Sequence, residues 1–167
     1  MKVQAFHAGD NAPVVGAQGQ AQIPLYWDEN LPGAQASAVQ IVMPPGTVSN
    51  PHVHLDIQVQ VVLLTGYPGV ATFWGDELEN VTWVSPGGIL AIQPGVPHIA
   101  LYPRARADVP RREPDALGIE IRNTPDYRDD VTARPELWPL AFAHAVRIDI
   151  ADRLTWPDHV TVTGGDK

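Results

Sequence analysis

The sequence contains no cysteine among its 167 residues. That excludes disulfides, thiolate metal sites and cysteine nucleophiles. Any chemistry must come from His, Asp, Glu, Gln, Tyr, Ser or Thr side chains, or from a bound cofactor. Basic residues are also scarce: 11 Lys and Arg stand against 19 Asp and Glu, a formal charge of −8. A chain this acidic is a poor partner for a phosphate backbone, so no nucleic-acid partner is expected. No apolar run approaches the ~18 residues that span a bilayer. The start, "MKVQAFHAGDNAPVV", lacks the basic and apolar blocks of a signal peptide. The expectation is a soluble cytoplasmic protein with no membrane partner. Nucleophile-elbow, P-loop and dinucleotide fingerprints are absent as well.

What the sequence has in quantity is punctuation: 17 prolines and 14 glycines. Between them run short strand-like segments: Val3–Phe6, Gln22–Trp27, Ala36–Met43, Gly69–Trp74, Val81–Val84, Ile89–Gln93, His98–Tyr102 and Ala116–Asn123. Strands at this spacing with turns between them predict an all-β sandwich or barrel. The length suits one domain. Its parts are read as N-terminal strands and an arm (1–35), a barrel core (36–123) and a C-terminal extension (124–167) packed on the barrel or on a partner subunit. Within the extension, Pro135 and Pro139 interrupt an otherwise helix-compatible stretch, and "HVTVTGG" reads as a short strand. The segment 103–115, with four arginines, reads as a polar loop or a lid over an anionic substrate.

One strand stands out. "PHVHLDIQVQVV", Pro51 to Val62, alternates polar and apolar residues with a period of two. His52 and His54 therefore share a face, about 6–7 Å apart at Cα, and their imidazoles can converge on one ion. Gln58 has the same parity and can add a carbonyl oxygen; Asp56 is a weaker candidate for a carboxylate ligand. If this face were exposed, the strand would be an ordinary half-buried one. Further along, "GILAIQPGVPHIALY" sets a strand, a Pro-Gly turn and then His98 at the start of another strand, which the turn can aim back across a small barrel.

These two segments resemble the two signature motifs of the cupin superfamily. Gly46, five residues and His-x-His followed by an amide match the first, and Gly88, a short strand, Pro94-Gly95 and His98 match the second. The resemblance implies a jelly-roll, or double-stranded β-helix, barrel with a divalent transition metal (Fe, Ni, Mn, Co, Cu or Zn) in its mouth. It implies His52, His54 and His98 as ligands, with Gln58 in the slot that usually holds a glutamate. The Gln58–Gly66 spacing is one residue longer than usual, so a bulge could instead place Val59 or Gln60 there.

Other candidates follow from strand parity. Glu120 could point inward as a general base or outward in a salt bridge. Tyr102 shares the parity of His98 and could line the pocket. Trp27, Phe73, Trp74 and Trp83 read as core, with room for one to wall the cavity. His7, His144 and His159 read as structural or exposed. The function expected is a metal-dependent cupin enzyme acting on a small organic molecule, a dioxygenase-type oxidoreductase first. A redox-neutral lyase, isomerase or cyclase and a non-catalytic ligand-binding barrel are the alternatives. A homodimer is the expected assembly.

Overall fold

A computed structural model describes residues 4–103, 115–128 and 131–151. The arginine-bearing segment 104–114 and the terminal segment containing "HVTVTGG" and His159 lie outside the described residues. Eleven strands are described: β1 (Val14–Val15), β2 (Ala21–Tyr26), β3 (Ser37–Met43), β4 (His52–His54), β5 (Val59–Leu63), β6 (Val70–Trp74), β7 (Asn80–Val84), β8 (Ile89–Ile92), β9 (His98–Leu101), β10 (Ala116–Arg122) and β11 (Val131–Ala133). A 3-10 turn (Pro135–Leu137) leads into the helix α1 (Trp138–Ala151). Among the described residues no helix is long and apolar enough to cross a membrane.

The strands form two antiparallel sheets, ordered β1-β2-β3-β10-β5-β8 and β11-β4-β9-β6-β7. Side chains of both sheets line one interior cavity, including Ile41, Val61 and Leu90 from the first and His52, Val70 and Val84 from the second. The fold is therefore the expected all-β barrel of two packed sheets. On β10 the alternation buries Ala116, Gly118, Glu120 and Arg122. The first two are small, which leaves space inside the barrel. The second two are charged, which requires partners.

Three local expectations change. The proposed first strand does not form: residues 4–7 are irregular. Two short strands, β1 and β11, were too brief to carry an alternation signal. The proline-rich stretch is helical from Trp138 onward. Pro139 is tolerated because first-turn N–H groups have no intrahelical acceptor. This extension packs on the second sheet: β11 pairs with β4, and Leu137 and Ala141 are buried with Phe73, Ile99 and Leu101.

The largest correction concerns the alternating strand. The chain bends at Leu55 and Asp56, so β4 ends in one sheet and β5 begins in the other. The polar/apolar alternation runs on through the bend, but the inward parity reverses. His52 and His54 are buried before it; Val59 and Val61 line the cavity after it, and Gln60 is exposed.

Candidate metal centre

His52 and His98 are directly opposed in the β4–β9 ladder, and His54 lies one alternation further along β4. One ring nitrogen from each of the three lies within 4.8 Å of the others. The ring centroids are 4.2 Å apart for His52–His98, 5.2 Å for His52–His54 and 5.6 Å for His54–His98. All three are buried.

Local backbone bonds orient these rings. His52 Nδ1 donates to the Asn50 carbonyl at 2.7 Å and His98 Nδ1 to the Val96 carbonyl at 2.9 Å. A carbonyl oxygen only accepts, so both neutral rings carry their proton on Nδ1 and keep the Nε2 lone pair for another partner. This outer bond is the one metal-bound histidines usually make. His52 Nε2 is buried and has no hydrogen-bond partner among the described residues. Such an orphaned acceptor between two other imidazoles fits a metal ion. Burial, and then the neighbouring His98, push His52 well below the ordinary imidazole range; burial likewise lowers His98. Both effects favour the neutral, ligating form.

The two motifs are also tied to each other. Gly95, at φ +78°, donates its N–H to the His54 carbonyl at 2.6 Å, so the Pro-Gly turn sits on the histidine strand. Ser49 bonds both backbone groups of Ala100, receiving its N–H at Oγ and donating its own N–H to the carbonyl.

Glu120 faces inward and is 3% exposed. It points inward rather than outward, yet it is ion-paired, because its partner Arg122 is buried beside it. Arg122 Nε and Nη2 each lie 2.6 Å from Glu120 Oε1, and Arg122 Nη1 also donates to the Tyr127 carbonyl. The amide nitrogen of Gln18 lies 3.5 Å from the same carboxylate oxygen and 3.4 Å from His54 Nε2. Gln22 Nε2 donates to Gln18 Oε1 at 2.8 Å, which turns the nitrogen of Gln18 toward the histidines.

The remaining predicted site residues lie elsewhere. Gln58 is half-buried in the crossing segment, its N–H bonded to Asn123 Oδ1 at 2.8 Å, and it is not among the cavity's lining residues. Gln60 and Asp56 are exposed. Tyr102 is fully buried in the core, donating its hydroxyl to the Tyr67 carbonyl, and does not line the cavity. None of Trp27, Phe73, Trp74 and Trp83 lines it either; Phe73 stacks on His144, and Trp27 meets Tyr127 edge-on. The glutamines Gln18 and Gln20, which do line it, were missed. The available signal was "QGQAQ", glutamine at every second position with small residues between, a pattern that gives no hint of which face is buried.

The cavity beside the histidines has a volume of about 60 Å³, room for a small group rather than a whole large ligand. Its wall is mostly Val, Ile, Leu, Met and Ala, with Gln18, Gln20, Ser49, Thr72 and Glu120 as polar exceptions. It is thus an apolar chamber with a nitrogen-donor centre and a few polar groups, the usual composition of a small-molecule site.

The architecture is a cupin fold: two antiparallel sheets closing over a histidine cluster at the barrel interior. The comparisons agree on the fold. The polyketide cyclase RemF from Streptomyces resistomycificus superposes with a TM-score of 0.62 at 17% identity, over 87% of this chain and 98% of that one. A Lactobacillus farciminis oxalate decarboxylase gives 0.58 at 17% identity, over 89% of this chain and 39% of that one. The cupin domain of Schizosaccharomyces pombe Cnp3 gives 0.53 at 10% identity, over 74% of this chain and 75% of that one. No family model and no curated protein matches the sequence. The chain is a protein of cupin fold whose interior carries a three-histidine cluster able to hold a metal ion.

Proposed function

We propose that this protein is a metal-dependent enzyme acting on a small, largely apolar organic substrate that presents an oxygen atom to the centre. The observation that carries this reading is the buried convergence of His52, His54 and His98, with His52 Nε2 lacking a hydrogen-bond partner among the described residues. A divalent ion held there would be a Lewis acid toward a carbonyl or phenolic oxygen, its charge undiminished by an anionic ligand. The aliphatic wall excludes water from the substrate and strengthens electrostatic contacts inside the chamber. Glu120, facing the same cavity, can take a proton from the substrate, and Arg122 holds one of its two oxygens in place.

Redox-neutral isomerisation, cyclisation or lyase chemistry fits this set better than dioxygenation. The 2-His-1-carboxylate arrangement of many iron oxygenases needs a carboxylate ligand, and the cavity's carboxylate is engaged by Arg122. RemF is named as a polyketide cyclase, and the donor set here is compatible with ring closure. The test is elemental analysis of the purified protein, followed by assays on diketone and phenolic compounds in an oxygen electrode. The expected result is near-stoichiometric transition metal, lost in His52→Ala, and turnover without oxygen uptake. Oxygen consumed in step with substrate returns the dioxygenase reading. Metal without turnover leaves a ligand-binding barrel, and folded metal-free protein removes the metal reading.

A further inference from the structure

Three glutamines stand two residues apart at the start of the first sheet, and all are buried: Gln18 at 2%, Gln20 at 4% and Gln22 at 3% exposure. Gln18 and Gln22 are paired with each other, and Gln18 also faces Glu120 and His54. Gln20 differs. Its amide nitrogen is 3.5 Å from Met43 Sδ, and among the described residues its side chain makes no other hydrogen bond. A thioether is a weak acceptor, so a primary amide with two donors and an acceptor is left almost unserved in the interior. Buried amides are normally satisfied, and each exception calls for a cause.

The cause is visible in the position. Gln20 lines the same cavity as His52, His98 and Glu120. The loop that carries it is held in register with the histidine strand by Asn50. Asn50 N donates to the Gln18 carbonyl at 2.7 Å, and its side-chain amide to the Ala17 carbonyl at 3.1 Å. Gly19, at φ +75°, fits against the same side chain, where a Cβ would come within 2.8 Å of Asn50 Oδ1. Asn50 also supplies the carbonyl that orients His52. One residue thus sets the histidine centre and the glutamine loop relative to each other.

We infer that Gln20 is a substrate-binding and specificity-determining residue, its amide hydrogen-bonding an oxygen of a small β-dicarbonyl or phenolic ligand inside a mostly aliphatic chamber. This rests on the proposed substrate class and deepens it. A buried amide kept for a ligand discriminates strongly, because an analogue without the oxygen leaves the amide unpaired.

The test compares Gln20→Leu with Gln22→Leu in the full-length protein as purified. Calorimetric titration with acetylacetone and, separately, catechol reads binding, and thermal denaturation reads stability. The expected result is that Gln20→Leu weakens binding of the probe by about tenfold or more while its Tm equals or exceeds wild type, since an unserved amide is replaced by a matching apolar group. Gln22→Leu lowers Tm, because Gln18 loses its donor. Unchanged probe affinity in Gln20→Leu overturns the inference. So does a Tm loss as large as that of Gln22→Leu, or the absence of binding by both probes to wild type. His52→Ala in the same titration separates the two readings. If Gln20→Leu binds normally while His52→Ala loses both metal and probe, the glutamine role fails and the metal centre stands. If wild type holds no metal and Gln20→Leu still loses the probe, the metal centre fails and the glutamine role stands.

Discussion

Replacing Arg122 by methionine removes one half of a buried ion pair and leaves the other half in place. The side chains of Arg122 and Glu120 are 2% and 4% exposed, and two guanidinium nitrogens lie 2.6 Å from one carboxylate oxygen. Arg122→Met deprives Glu120 of its counter-charge and the Tyr127 carbonyl of a donor. Removing one partner of such a pair typically costs about 3–5 kcal/mol, because the survivor stays desolvated and uncompensated. For a chain of this size, each kcal/mol moves Tm by about 2–4 °C. Arg122→Met should therefore melt roughly 6–20 °C below wild type. The double variant Glu120→Leu, Arg122→Met removes both charges together and should recover most of that loss, since apolar replacement of a whole buried pair is often close to neutral. Urea denaturation of wild type, both single variants and the double variant gives the coupling energy, provided the m-value is constant. A loss below about 1 kcal/mol for Arg122→Met, or a double variant as unstable as the sum of the singles, would refute the reasoning. Either outcome would mean that water reaches the pair.

Three further predictions concern other parts of the molecule. Transition metal at about 1,000 times its Kd should raise stability by roughly 4 kcal/mol; chelation should reverse the gain and His98→Ala abolish it, as read by thermal shift. Gly66→Ala should cost about 2–4 kcal/mol in urea denaturation, because Gly66 has φ +104° and an added Cβ would come within 2.4 Å of Ala116 Cβ. The Arg128 hydrogen bond holds the Asp126 carboxyl below its usual value of 3.8. Its contribution is therefore present above about pH 4 and lost as pH falls through the lowered value. The stability difference between wild type and Arg128→Gln, small because Arg128 is half-exposed, should vanish toward pH 2 in acid-titration unfolding curves.

Much of the architecture was legible because it depends on local chemistry. Pro-Gly and Gly-rich turns cannot continue a strand, so they marked the limits of β3, β6, β7, β8, β9 and β10 to within a residue or two. His52 and His54 were legible because His-x-His on a strand shares a face whatever the strand does next, and His98 was legible through the resemblance of its segment to the second cupin motif. Where the reading failed, it failed at Gln58, and the reason is geometric. Strand parity can be counted only while a strand remains one strand. The bend at Leu55 and Asp56 moves the chain from one sheet to the other, and nothing in an unbroken polar/apolar alternation announces that the inward side has changed. Tyr102 failed differently: beyond the end of β9 at Leu101, its side chain is taken by the core rather than the cavity.

The sequence by itself determined the class of the fold and the absence of thiol chemistry, since composition and turn residues are local properties, and it pointed to the three nitrogen donors through the resemblance of two motifs to those of cupins. Only the tertiary structure decided what surrounds those donors. It brought Gln18, Gln20, Glu120 and Arg122 to the histidines from strands and loops that are distant in the chain, and it moved Gln58 away. These neighbours come from facing sheets, and which side of each strand faces inward is fixed by the burial of whole faces rather than by any single segment.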